Sequence, residues 1–202
     1  MSKRTRRWLL LAALIVTCVT WATWRWYLQR YPSWQEQVQL SDGRVIIVRQ
    51  QHEVYDNYGT NQSWVTFSLP EMGGERTWHS YLKPMRVDVH EGLVFVFGRP
   101  RGLRQFEHYR YPKHYLVSFV WADGVFVRIP FLQVPEELRR EENIFPCVPN
   151  STNSLLSTSA KNIQWCQPQG ESDQFGRKFS QQSYDELAIS MARLGGGPPI
   201  SD

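Results

Sequence analysis

At 202 residues, with a formal net charge of +4 and a sequence pI near 9.0, the chain has room for one well-packed domain and invites a nucleic-acid reading. The placement of the charge excludes that reading. Lys3, Arg4, Arg6, Arg7, Arg25 and Arg30 all fall in the first thirty residues, with no acid among them, which leaves residues 31 to 202 two charges negative; such a remainder lacks the long-range attraction a phosphate backbone requires.

The first predicted element is a membrane helix. WLLLAALIVTCVTWATW, residues 8–24, carries no formal charge and would extend roughly 25 Å as a helix, the short end of a spanning length. Trp8 marks one border and Trp21, Trp24, Trp26 and Tyr27 the other, where amphipathic rings favour the headgroup region. Four basic side chains precede the span and two follow it, which favours a cytoplasmic N-terminus and an exported remainder. Two alternatives stay open. A cleaved signal peptide would use Thr20-Trp21-Ala22, whose bulky centre is a poor cleavage site. A lipoprotein signal would use Ile15-Val16-Thr17-Cys18, followed by an aromatic stretch unlike a mature lipoprotein start. The resulting division is a basic tail (1–7), a transmembrane helix (8–27), a stalk (28–33), an exported β-rich domain (34–194) and a flexible tail (195–202).

Within that domain, WQEQVQLSDGRVIIVRQ (34–50) places Asp42-Gly43 between two alternating runs, the pattern of a hairpin with a type I′ turn. RVDVHEGLVFVF (86–97) repeats it with Glu91-Gly92, and YLVSFVWADGVFVRI (115–129) with Asp123-Gly124. SWVTFSL (63–69) and RTWHSYL (76–82) alternate as half-buried strands joined by a Pro-Glu-Met-Gly-Gly turn. About eight strands result. The fold class is mainly β: a transmembrane helix, then an antiparallel meander or sandwich-like domain with a short C-terminal helix. Trp64, Trp78, Trp121, Phe67, Phe95, Phe97, Phe119 and Phe126 are the expected core fillers.

Beyond the strands, residues 134–140 read as a short helix with proline in its first turn. A second helix is expected at 184–194, opened by a capping box at Ser183-Tyr184-Asp185-Glu186, stopped at Gly195, and presenting Tyr184, Leu187, Met191 and Leu194 on one face. Cys147 and Cys166 enclose 18 residues of a polar loop. In an oxidising exported compartment they suit a disulfide, worth ~3 kcal/mol through loop closure; a zinc half-site is the competing reading, and no close histidine pair completes it. Cys18 reads as a small apolar filler.

The pattern W-x-E-x-V-x-L-x-D-G-R-x-I-x-V, carried by Trp34, Glu36, Val38, Leu40, Asp42, Gly43, Arg44, Ile46 and Val48, is followed by Gly124, Arg128, Ile129 and Pro130. Over roughly residues 34–140 it resembles a family of uncharacterised proteobacterial membrane-anchored envelope proteins. The resemblance implies a bacterial source and an envelope location, which together with the membrane helix gives the expectation of an inner-membrane protein with a periplasmic domain. It carries no activity, ligand or site residue with it.

Chemistry is scarce in the sequence. No nucleophile elbow, phosphate loop or H-E-x-x-H motif occurs, and no cofactor, metal or catalytic residue is nominated. Asp42 is read as a turn residue, and Asp88 and His90 as one face of a strand, either an ion pair or an acid/base pair. The distinctive stretch is GRPRGLRQFEHYRYPKHY, residues 98–115, where Arg99, Arg101, Arg104, Arg110 and Lys113 alternate with Phe106, Tyr109 and other aromatics. Cations beside aromatic platforms suit an acidic protein surface, an anionic lipid or a glycan acid; a solvated loop whose rings pack back onto the sheet is the plainer reading. The expectation is a non-enzymatic interaction or accessory module of the envelope. Its alternatives are an exported small-ligand-binding protein or hydrolase, or a lipoprotein accessory factor.

Overall fold

In the computed structural model, which describes residues 2–55, 59–139, 142–149, 152, 154–161, 185–186 and 188–190, the apolar N-terminus is a single helix, α1 (Lys3–Arg30). Its 28 residues rise about 42 Å. Ser2 Oγ accepts from the Thr5 amide at its start, and Thr17, Thr20 and Thr23 each donate a hydroxyl to the carbonyl four residues earlier. Those bonds let three hydroxyls sit in an apolar helix without demanding water. The helix is long and apolar enough to cross a membrane, and its apolar window is wholly unburied. It also outruns the expected 8–27 boundary. The predicted stalk at 28–33 is helix as far as Arg30, and only Tyr31 and Pro32 separate it from the first strand, because Arg30 is held by the domain and Pro32 disfavours α conformation just before it.

Eight strands follow: β1 (Ser33–Gln39), β2 (Val45–Tyr55), β3 (Gly59–Leu69), β4 (Gly74–Ser80), β5 (Lys83–His90), β6 (Leu93–Arg99), β7 (Val117–Ala122) and β8 (Val125–Ile129). They form two antiparallel sheets in plain meander order, β1-β2-β3-β4 and β5-β6-β7-β8. The expected mainly β, sandwich-like fold is the one observed. Val38, Leu40, Val48, Val65, Phe67, Leu69 and Trp78 of the first sheet pack against Val87, Val89, Val94, Val96 and Val117 of the second. The opposite face of the second sheet is covered as well: Met85, Phe95, Phe97 and Leu116 lie under Phe131, Val134 and Leu138. Double coverage explains why β6 is a nearly continuous apolar run and why β5 is buried from Lys83 to Val89 even though it carries Lys83, Arg86 and Asp88.

Of the expected fillers, Trp78, Phe67, Phe95 and Phe97 are buried, while Phe119, Trp121 and Phe126 are partly buried against the core. Trp64 is not a filler. Val65, Phe67 and Leu69 point inward, so the period of two sends Trp64 to the outer face, where it is half-buried. Trp34, not among the expected fillers, is buried on β1 at 2% exposure.

The turns refine the hairpin reading. Glu91-Gly92 (φ 50° and 78°) and Asp123-Gly124 (φ 50° and 83°) are left-handed at both positions, as type I′ requires. The Asp42-Gly43 turn is different. Among its residues only Gly43 has positive φ (89°), Gly43 N donates to Leu40 O, and Leu40 N donates to Arg44 O. That is a three-residue connection in which Gly43 is the bulged residue, Gly43 and Arg44 together facing Leu40. Ser41 is tied down by Asp88, and Asp42 Oδ1 accepts the Arg44 amide, so both turn residues have structural partners.

After β8 the predicted helix at 134–140 is a shorter 3-10 turn at Glu136–Leu138, preceded by another at Phe131–Gln133. Pro135 lies just outside the turn, as its N-cap. Asn143 then joins the sheets: its side chain donates to Gln39 O and Val87 O and accepts from Val87 N. Leu156 pairs in parallel with β1 through Gln35 and Gln37, and a short helix α3 (Thr158–Lys161) follows. Most of the predicted 184–194 helix lies outside the described residues, including Tyr184, Leu187, Met191 and Leu194. Residues 185, 186 and 188–190 are helical, and Ala188 is buried against Phe106 and Tyr115.

Candidate interaction surface at the helix-proximal end

The chain enters the domain through a built joint. The Arg30 guanidinium donates to Glu53 Oε1 (3.0 Å) and to Val54 O (3.2 Å), and Tyr31 Oη reaches the same Glu53 oxygen at 3.3 Å. Asn61 Nδ2 and Gln62 Nε2 donate to the other oxygen at 2.7 and 2.8 Å. Burial alone would raise the Glu53 pKa, but the donors from Asn61, Gln62 and Arg30 outweigh it and hold the carboxylate below its ordinary range. Aromatic rings continue the connection across the outer face of the first sheet. Tyr27 contacts Tyr31, Tyr31 contacts Trp64, and Trp64 stacks on His79 with centroids 4.9 Å apart; Tyr81 and His108 extend the row. This is what the outward Trp64 does.

The row ends at the basic segment predicted as a binding loop. Its centre is a short helix, α2 (Leu103–His108), docked on the start of β3: Gln105 Nε2 donates to Thr60 O (3.1 Å) and Asn61 O (2.6 Å), while Gln105 Oε1 accepts the Arg101 amide. Phe106 and Tyr109 are buried, and the Tyr109 hydroxyl accepts the Tyr81 amide. Arg101 lies across Gly59, where a Cβ would fall 2.0 Å from its guanidinium, and Gly59 itself is left-handed at φ 71°. Arg99 is half-buried. Arg104, Arg110 and Lys113 are exposed, and among the described residues none has an ion-pair partner. The seven residues nominated from sequence therefore divide: two rings are core, two arginines lie against the domain, and three cations face solvent.

Meander topology sorts these charges by end. Strands β1, β3, β5 and β7 all leave from the end where α1 enters, and Asp88–Ser41 contacts at one end and Gln105–Thr60 contacts at the other keep the two sheets aligned. The far end therefore collects the four strand turns, with Asp42, Glu71, Glu91 and Asp123 against Arg44 alone. The helix-proximal end collects the 100–116 connection, which carries Arg101, Arg104, Arg110 and Lys113 against Glu107, with Asp185 and Glu186 packed beside it where Asp185 meets His114. Among the described residues the strand turns are net acidic and the 100–116 connection is net basic.

A second concentration of charge is buried. Glu36, Gln50, His52 and Lys161 are all within 1% of full burial. Lys161 Nζ pairs with Glu36 and donates to Asn143 O (2.9 Å); Phe145 N donates to Glu36 Oε2 (2.9 Å). Gln50 Nε2 donates to Glu36 and to Phe145 O, leaving Gln50 Oε1 to accept from His52 Nε2 (2.8 Å), so the Thr60 hydroxyl donates to His52 Nδ1 (3.0 Å). The imidazole is neutral: burial, reinforced by the charges of Lys83 and Arg101, pushes its pKa down to about 3. Burial raises Glu36 and lowers Lys161, each opposed by the other's charge. Solvent has no access to this chain of groups. What it does is pin residues 143–145 and 158–161 to β1 and β2. Sequence reading missed Glu36, although its period-two alignment with Trp34, Val38 and Leu40 gave the signal.

Other candidates resolve simply. Asp88 is fully buried and bound by Ser41 and by Arg86, two residues earlier on the same face, so His90 is not its partner. Among the described residues, no three His, Cys, Asp or Glu side chains converge as a metal site. Cys147 is half-buried beside Phe145 and Leu156, and Cys166 lies outside the described residues. An open cleft of about 520 Å³ lies where α1 meets the domain, lined by Trp26, Leu28, Arg30, Pro32, Val54 and Val148. No family model matches the chain, and no curated protein or solved structure is significantly similar to it.

Proposed function

We propose that this is a single-pass bacterial inner-membrane protein, N-terminus cytoplasmic, whose β-rich periplasmic domain is a non-enzymatic interaction module of the envelope. The observation that carries the reading is the joint at Arg30. A flexible tether would leave the domain free to tumble, whereas Arg30, Tyr31 and Glu53 fix one end of it close to the point where α1 ends. That end bears the exposed cations Arg104, Arg110 and Lys113, and so offers a fixed, charged face to a component at or near the bilayer. The interaction energy lies in the positioning of the face rather than in a reactive centre. The Cys147–Cys166 disulfide belongs to the same proposal. It would close the polar loop after Phe145 in an oxidising compartment, and Cys18 is the free thiol among the described residues.

The test has two parts. Alkaline phosphatase fused behind Asp202 is active if the domain is exported, and a silent fusion refutes the topology. Photocrosslinking in cells from position 104 captures an envelope component if the face is an interaction surface; crosslinks no more frequent than those from position 91, at the far end, refute that role. A second reading, a site for a small amphiphile, is favoured by the cleft beside Trp26 and Val148.

A further inference from the structure

We infer that the 103–113 segment docks on anionic phospholipid headgroups of the same membrane that holds α1, an inference that rests on the anchored-module reading and names the partner of its charged face. Depth is the first argument. Arg30 donates to Val54 O and Gln105 donates to Thr60 O, and Val54 and Thr60 are register partners on β2 and β3. The last residue of α1 and the centre of α2 are thus attached to adjacent points of one sheet, on the order of 10 Å apart. Trp24, Trp26 and Tyr27 set the interfacial border of α1 just before Arg30, which brings α2 to the level of the headgroups, within about one Debye length of their charge.

Charge is the second argument. Arg104, Arg110 and Lys113 are exposed cations without ion-pair partners among the described residues, and the acids of the strand turns are gathered at the opposite end. A negative surface attracts the near end and repels the far one, so it aligns the domain in the same sense as the Arg30 joint. Local geometry is the third. Arg110 and Tyr111 are both left-handed (φ 56° and 58°), a conformation that favours glycine. The strained pair closes α2 and turns Tyr109 and Tyr111 inward while Arg110 stays outside. Core aromatics thus fix a basic rim whose exposed cations, Arg104, Arg110 and Lys113, have no ion-pair partner among the described residues.

The test is amide exchange of the full-length protein in nanodiscs of phosphatidylcholine alone or with about 30% phosphatidylglycerol. Exchange over 103–113 is expected to slow about tenfold in the anionic discs and to recover in ~0.5 M NaCl. The slowing is expected to vanish in the triple variant Arg104→Gln, Arg110→Gln, Lys113→Gln. Arg110→Gly serves as the control for folding: it relieves the left-handed strain, so it is expected to raise thermal stability while reducing the lipid-dependent slowing. Equal exchange in the two discs overturns the inference. So does equal slowing by inorganic phosphate in neutral discs, which assigns the cations to a free anion. Protection that appears only on adding envelope proteins, whatever the lipid charge, also overturns it and leaves the interaction module standing.

Discussion

The two ends of the β domain are built by different physics. At the far end the chain reverses within two to four residues, using turn residues whose conformational preferences match the turn: Glu91-Gly92, Asp123-Gly124 and the bulged Ser41-Asp42-Gly43, the last also held by Asp88. At the helix-proximal end β2–β3 and β4–β5 are also linked within two or three residues, but the 100–116 connection is long, and the contacts that hold this half come from partners distant in sequence. Arg30 needs Glu53, α2 needs Thr60 and Asn61, and Glu36 needs Lys161. Local chemistry closes one end; tertiary contacts assemble the other. Substitutions should therefore be costliest in the helix-proximal half, which also carries the exposed cations Arg104, Arg110 and Lys113.

The largest effect should come from acid acting on the helix-proximal half. His52 is neutral in the fold with a pKa near 3, against 6.5 for an unperturbed imidazole. An unfolded chain therefore binds a proton that the folded one refuses between those values. The contribution is fully present above pH 6.5 and is lost as the pH falls towards 3, up to about 5 kcal/mol in all. Denaturant titrations across that range should show the loss, and a variant such as His52→Asn should flatten the dependence. Next, Lys161→Met leaves the Glu36 carboxylate buried without its counter-ion and should cost about 3–5 kcal/mol. Adding Glu36→Gln to it should restore part of that, as a double-mutant cycle would measure.

The joint itself should rank below these. Arg30→Gln removes the charge from a partly buried pair and should lower stability by about 1–2 kcal/mol, with faster amide exchange over residues 53–62 as its local signature. Because Glu53 is held below its ordinary pKa, the pair contributes above the unfolded carboxylate value and fades as the pH falls through the folded one. The far end should respond least. Gly92→Ala puts a Cβ on a residue at φ 78° and should cost about 1 kcal/mol, with no effect on exchange near α2. An Arg30 change that left 53–62 untouched, or a Gly92 change felt at α2, would break the division between the ends.

That division also decides what the sequence discloses. Hairpins were legible because Asp-Gly and Glu-Gly pairs act locally, and period-two alternation located β1 to β8. The face assignment was legible too where alternation was followed strictly, and Trp64 and Glu36 show what is lost when size or polarity is weighed instead. Helix-proximal structure was hidden for a physical reason. Nothing near Glu36 in the chain announces Lys161, 125 positions later, and the 98–115 segment reads as one basic-aromatic run until Gln105 and the Phe106 and Tyr109 rings are docked. The exposed cations could be nominated by composition, but only the fold separates Arg104, Arg110 and Lys113 from Arg99 and Arg101.

The orientation of the domain is best measured with spin labels placed singly at Glu107 and Glu91 in the full-length protein in a bilayer, read by relaxation from a headgroup-bound paramagnet. The account predicts a strong effect at position 107 and a weak one at 91, since a strand the length of β6 separates the two ends by roughly 20 Å. Equal effects at the two positions would contradict it.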